Sequence, residues 1–159
     1  MKKILLVCLI IIFNLTATSF AMQREVDFSY KKVSLGMSYE EMVNLIGEPK
    51  VQFVTFIGEY AVDESVYNDV RIDFDLNTKK IVFISIKDKK YENNQGVKIG
   101  STLYKLNKEY GKGEKQIING KKYYIYQHEQ NPDDKLLLDV SNGYVEKIII
   151  MNLPTGALE

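Results

Sequence analysis

Two stretches of the chain carry the same pattern of apolar and polar positions. In the first, Tyr39, Met42, Val43 and Ile46 recur at the spacing of one helix face. Ser38 stands before them with Glu41 three residues on, the capping-box spacing in which each side chain satisfies a backbone N–H at the helix start. Gly47 can adopt the left-handed stop conformation, and Pro49 prevents continuation. A shift of 64 residues lays Thr102, Leu103, Leu106, Tyr110 and Gly111 on Ser38, Tyr39, Met42, Ile46 and Gly47 without a gap. Lys105 replaces Glu41, so the second helix keeps its cap and loses the reciprocal half of the box.

After each helix the period changes to two. Residues 51–57 are rich in β-branched and aromatic side chains, with a bend at Gly58 and a short second strand at 60–62. Residues 63–69 read as a polar loop, 70–75 alternate, and 81–86 return as a hairpin partner. At the same offset Gln116 matches Gln52, Tyr124 matches Tyr60, and Asp139 matches Asp75. Val145, Ile148 and Ile150 likewise match Ile81, Ile84 and Ile86. One gapless offset that preserves helix face, glycines and hairpin reads as internal repetition.

The expected fold is therefore α+β: two tandem helix-plus-antiparallel-strand repeats, forming a joined, curved sheet with helices on one face. Ile72, Phe74, Ile84 and Ile86, with Leu136, Leu138, Ile148 and Ile150 as their copies, should point beneath the helices. The lead-in, with Val26, Phe28 and Tyr30 alternating, reads as an edge strand or a docked arm. Residues 87–95 are charged, lack an apolar period and mark the boundary. The division is 1–21, 22–90 with the lead-in, and 91–159 with the linker.

Residues 1–21 read as a signal peptide: Lys2 and Lys3, an apolar run over 4–13, then Ser19 and Ala21 at the −3 and −1 positions. Cleavage is expected after Ala21, with Ala17 the alternative, giving an exported protein, periplasmic or secreted. The run is too short to span a bilayer comfortably, and no transmembrane span is expected in the mature chain. Cys8, the single cysteine, lies inside this run after Val7, which does not make a lipidation site; the mature chain then uses no disulfide. The 21 basic and 21 acidic residues balance, and losing Lys2 and Lys3 leaves a formal charge of −2, with no basic excess for nucleic acid.

Catalysis finds little footing in the sequence. His128 is the only histidine and reads as a surface or strand-end residue; no triad and no zinc ligand set converges on it. Asp73 and Asp75 share a strand face, but Asp73 corresponds to Leu137 and Asp75 looks like a turn former, so both read as solvated strand or turn carboxylates. Asn131-Pro132-Asp133-Asp134 reads as a β-turn. Neither cofactor nor metal is expected. The run from Lys121 to His128 sends Tyr124, Tyr126 and His128 to one face and Tyr123, Ile125 and Gln127 to the other; one set should pack under the helix and leave the other exposed. With the strand faces pointing away from the helices, this gives a candidate protein-binding surface of Arg71, Asp73, Phe83, Tyr123, Ile125, Lys147 and Ile149.

The segment from Leu35 to Pro49, with Gly36, Met37-Ser38, an acidic helix start and Ile46-Gly47-Glu48-Pro49, resembles the opening of SmpA/OmlA-type (BamE-like) envelope modules. Two such units after a signal peptide resemble the β-lactamase-inhibitor-protein architecture, which implies a concave sheet gripping a partner protein. Tandem modules of similar look also accompany secreted CAP-domain proteins. The SmpA/OmlA modules are usually lipidated single units, and the inhibitor family carries a disulfide in each repeat. This chain departs from both, so only the scaffold and the binding-module idea carry over. The resulting expectation is an exported, non-catalytic protein-binding module acting through the exposed sheet face, with inhibition of an extracytoplasmic enzyme as one form of that binding. The competing expectation is a structural component of outer-membrane or envelope assembly.

Overall fold

A computed structural model describes residues 26–159; the expected signal peptide lies outside them. The chain begins with a small hairpin, β1 (Ser29–Tyr30) and β2 (Val33–Ser34), and continues into helix α1 (Tyr39–Ile46). Four strands follow: β3 (Val51–Ile57), β4 (Tyr60–Val66), β5 (Val70–Asp75) and β6 (Ile81–Ile86). Helix α2 (Leu103–Tyr110) then precedes four more: β7 (Glu114–Ile118), β8 (Lys121–Gln127), β9 (Lys135–Asp139) and β10 (Lys147–Met151). A 3-10 turn, Thr155–Leu158, ends the chain. All eight strands after α1 form one antiparallel sheet in the order β3-β4-β5-β6-β10-β9-β8-β7, joined at its middle by β6 and β10.

The helix signals work as their chemistry requires. Ser38 Oγ accepts the Glu41 N–H and the Glu41 carboxylate accepts the Ser38 N–H at 2.7 Å, completing the capping box. Thr102 caps α2 through the Lys105 N–H alone. Gly47 and Gly111 stop the helices with φ of 82° and 75°. The Gly36 N–H donates to the Ile81 carbonyl at 2.8 Å and the Ile81 N–H to the Met37 carbonyl at 2.9 Å. The same two bonds recur 64 residues on, from Gly100 to Val145 at 2.7 Å and from Val145 to Ser101 at 2.8 Å. These paired bonds dock each helix start onto the last strand region of its own half.

One apolar cluster fills the space between the helices and the sheet. It contains Met42 and Leu106 from the helices, together with all eight inward candidates, Ile72, Phe74, Ile84, Ile86, Leu136, Leu138, Ile148 and Ile150. Alternation puts these eight on one sheet face, so both helices cover that face. Tyr126 belongs to the same cluster and Tyr124 packs against it. The aromatic run is thereby oriented, with Tyr123 and Ile125 on the opposite face.

Two local expectations change. Residues 63–66 are strand and not loop, because Glu64 and Ser65 are paired on both sides within the sheet and Glu64 meets the Arg71 guanidinium at 3.1 Å. The charge of Glu64 thus serves an ion pair within the sheet and not solvent. The charged connection after β6 is also more than a linker. Tyr91 is buried and donates to the Ser29 carbonyl at 2.6 Å, while the buried Asn93 amide donates to the Tyr110 hydroxyl. Through these contacts, and Tyr30 to Asp88 at 3.0 Å, the lead-in docks as an arm on the boundary segment.

Candidate binding site

The sheet face away from the helices was expected to be open, and it is mostly closed. A second apolar cluster occupies it: Val62, Phe83, Tyr123, Ile125, Leu137, Ile149 and Met151 from the strands, with Leu153 and Ala157 from the C-terminal segment. The last residues therefore run across this face. Asn119, in the β7–β8 turn, donates its side-chain N–H to the Leu158 carbonyl at 2.7 Å. On the other side Gly58, in the β3–β4 turn, lies so near the segment that a Cβ there would stand 2.9 Å from the Ala157 carbonyl oxygen. The turn of each edge hairpin thus clasps the C-terminal segment.

This closure corrects the expected exposed surface. Asp73 has no exposed area, Ile149 has 1%, and Phe83, Tyr123 and Ile125 are also buried. Only Arg71 and Lys147 keep substantial contact with solvent. Sequence periodicity placed all seven residues on the correct face; it carried no signal that Leu153, Ala157 and Leu158 would fold over it.

Five of the seven nevertheless converge. Arg71, Phe83, Tyr123, Lys147 and Ile149 line one cavity of about 390 Å³, joined by Ser85 and Lys121 on the sheet. Ile125 is packed in the apolar cluster of this face, and Asp73 lies under Arg71. The Arg71 Nε donates to both Asp73 oxygens, at 2.9 and 2.8 Å, and sits 3.1 Å from Glu64. Its guanidinium also lies 5.3 Å from the Phe83 ring centroid, a cation–π contact. Burial pushes the Asp73 carboxyl up to about 6, against the Arg71 contacts, which lower it. Lys121 pairs with the fully buried Asp139 at 3.2 Å, and Asp139 also accepts from Ser141 at 2.7 Å.

The other candidate groups have local duties. Asp75 accepts the Asn77 and Thr78 N–H groups at 3.1 and 2.7 Å, the turn role expected of it, and these bonds hold its carboxyl below the usual range. The Asp134 N–H closes the β-turn on the Asn131 carbonyl at 2.9 Å. His128 stands at a strand end, its Nδ1 accepting the Gln130 and Asn131 N–H groups and its ring packed on Phe28 at 5.0 Å. Among the described residues no group of three or more His, Cys, Asp or Glu side chains is placed to hold a metal, and no helix is long and apolar enough to cross a membrane.

Sequence reasoning missed an exposed apolar feature of the described residues, the outer strand β3. It pairs with β4 alone, and Val51, Phe53, Val54 and Phe56 are 54%, 46%, 60% and 65% exposed. Its seven residues carry no charge and no proline. The opposite edge, β7, is blunted by Glu114 and Lys115. The sequence carries a partial signal: 51–57 has no charged residue, whereas Lys115 and Lys121 fall in 115–121, at the 64-residue offset.

Comparison with known proteins places the fold and no family. No family's sequence pattern and no curated protein matches the chain. Among solved structures, an extracellular protein containing an SCP domain from Bacillus anthracis superposes with a TM-score of 0.52 at 11% identity, covering 80% of this chain and 48% of that one. The chain therefore spans about half the length of that protein. A DUF4309-family protein of Bacillus subtilis has a TM-score of 0.48 at 13% identity, covering 80% and 86%. A protein titled "putative beta-lactamase inhibitor protein" from Streptococcus mutans has a TM-score of 0.30 at 17% identity, covering 82% and 90%. At these identities the likeness is one of fold alone, and the last two scores fall below the level at which even that is argued.

Proposed function

We propose that this chain is an exported, non-catalytic protein-binding module that engages an extracytoplasmic partner by adding a strand to the β3 edge. The observation that carries this reading is the outer strand β3, paired on one side alone and bearing four exposed apolar side chains. An edge of this kind presents a row of free N–H and C=O groups to an incoming strand, while alternate side chains supply the specificity. Export is supported by the signal-peptide pattern of residues 1–21 and by the extracellular description of the Bacillus anthracis protein. A non-catalytic role is supported by the employment of the two best acid–base candidates, Asp73 beneath Arg71 and His128 in its turn.

The chain reads further as two copies of one unit, 22–90 and 91–159, joined through β6 and β10. The supporting fact is the recurrence of the Gly36–Ile81–Met37 bonds as Gly100–Val145–Ser101 at the 64-residue offset. Retention of the helix caps and inward residues, beside divergence of the edges, fits units that preserve packing and differ where one of them binds.

The test is capture of a partner from an extracytoplasmic fraction and from a panel of secreted hydrolases, using the mature chain and a Val54→Lys, Phe56→Ser variant. A charge and a polar group on the edge should abolish capture while thermal stability is retained. Inhibition of a captured hydrolase would make the module an inhibitor; co-fractionation with envelope complexes would favour the assembly role. A partner held equally by the variant sinks the edge-strand reading.

A further inference from the structure

The cavity on the closed face holds three cations, and two of them are already neutralised. Arg71 is committed to Asp73 and Glu64, and Lys121 to Asp139. Lys147, from the central strand β10, makes no hydrogen bond or ion pair with any described residue. Glu159 lies at the cavity margin without pairing with it. Burial, then the nearby cations Lys121, Lys87 and Arg71, hold the Lys147 ammonium below its ordinary value, and Asp139 only partly offsets them. Lys147 is thus the one cation of the cavity lining without a carboxylate in ion-pair contact, although Asp73, Glu64 and Asp139 together balance the three cations in number.

The surroundings of that charge are apolar. Phe83, Tyr123 and Ile149 form the sheet side of the cavity, and Ile57, Ala157 and Leu158 form its rim. A volume of about 390 Å³ lies within the range of small-ligand pockets. A single unengaged ammonium suits a monoanion better than a phosphate, whose second charge would find no free cation. The apolar lining suits a ligand with a hydrocarbon or aromatic body.

We propose that this cavity binds a small organic carboxylate, its charge on Lys147 and its apolar body against Phe83, Tyr123 and Ile149. The site is separate from the β3 edge and does not depend on the partner-binding reading. The same carboxylate chemistry could be supplied by a free metabolite or by the end of a peptide.

The experiment titrates the purified protein with 3-phenylpropanoate, its neutral amide, inorganic phosphate, and a tripeptide ending in phenylalanine as free acid and as amide. Binding is followed by calorimetry and by NMR of the lysine side chains. The expected result is saturable binding of a carboxylate that shifts the Lys147 resonance, with the matching amide at least about tenfold weaker, the size of one charge-assisted hydrogen bond. Lys147→Met should lose binding by a similar factor, Lys147→Arg should keep most of it, and Val54→Lys should leave it unchanged. Preference for the small acid over the peptide acid assigns the source to a free molecule, and the reverse assigns it to a peptide end. Equal binding of acid and amide overturns the proposal, as do undiminished binding by folded Lys147→Met, phosphate binding as tightly as the carboxylates, and no saturable carboxylate binding.

Discussion

The Arg71 side chain holds the carboxylate of Asp73, its neighbour but one on β5, through two Nε contacts of 2.9 and 2.8 Å, although Asp73 has no exposed surface. The corresponding positions in the second half are Lys135 and the fully buried Leu137. The outward face of β5 thus carries a buried ion pair where that of β9 carries a leucine.

That contrast predicts an asymmetry between the partners. Arg71→Met strands a buried carboxylate, and the cost of breaking such a pair is about 3 kcal/mol, reduced somewhat because the Arg71 side chain is 34% exposed. Asp73→Leu installs the residue of the other half and leaves Arg71 in contact with Glu64, Phe83 and water. Its expected effect is within about 1 kcal/mol of zero, as for other buried ion pairs replaced by apolar groups. Urea unfolding of the two variants checks the order; a more damaging Asp73→Leu contradicts it.

Asp73 also predicts how stability varies with pH. Its carboxyl is raised from 3.8 to about 6 by burial, so the folded protein binds the proton more tightly than the unfolded chain. The resulting stabilisation is fully present below about 3.8 and is lost as pH rises through about 6. Between pH 5 and pH 7.5 the wild type should lose about 1 kcal/mol more than Asp73→Asn, which has no proton to release. Denaturation at the two pH values measures this difference, and parallel losses in both proteins would rule it out.

What was legible in the sequence depended on periodicity and local chemistry. Ser38, Glu41, Gly47, Thr102 and Gly111 fix both helices because caps and stops are made by neighbours in the chain. The inward face of the sheet was legible because alternation is a local property and the same four positions are apolar at both ends of the 64-residue offset. The covering of Phe83 and Ile149 by Ala157 and Leu153 was not legible, since a segment's docking place is a long-range matter. Glu64 was misread as loop because a carboxylate destined for Arg71 looks the same in sequence as one destined for water. The edge position of β3 depended on strand order, which periodicity does not encode.

The clasp on the C-terminal segment can be separated from ordinary turn strain. Gly58 and Gly120 both have positive φ, 57° and 73°, so alanine at either costs about 1 kcal/mol in conformation alone. At Gly120 the added methyl meets nothing within 4 Å, whereas at Gly58 it stands 2.9 Å from the Ala157 carbonyl oxygen. Gly58→Ala should therefore cost about 1–2 kcal/mol more than Gly120→Ala, the usual penalty of overpacking. It should also increase hydrogen exchange of the Ala157 amide, which bonds the Pro154 carbonyl at 3.0 Å. Equal costs and unchanged exchange would mean that the segment gives way without consequence.

The two outer strands should differ in their tendency to self-associate. An uncharged, apolar edge is a template for further strands, and a single lysine on it is a common natural safeguard. Val54 sits in the middle of β3, 60% exposed, with no charge in its strand; Ile117 on β7 is 69% exposed but follows Glu114 and Lys115. Val54→Lys should raise the concentration at which the protein aggregates on mild heating, and Ile117→Lys should raise it far less. Both substitutions lie on exposed surface, so the folding stability of each should remain within about 0.5 kcal/mol of wild type. Light scattering across a concentration series reads the first effect and urea denaturation the second. A larger protective effect from Ile117→Lys would show that β3 is not the reactive edge, and would remove the main support for strand addition there.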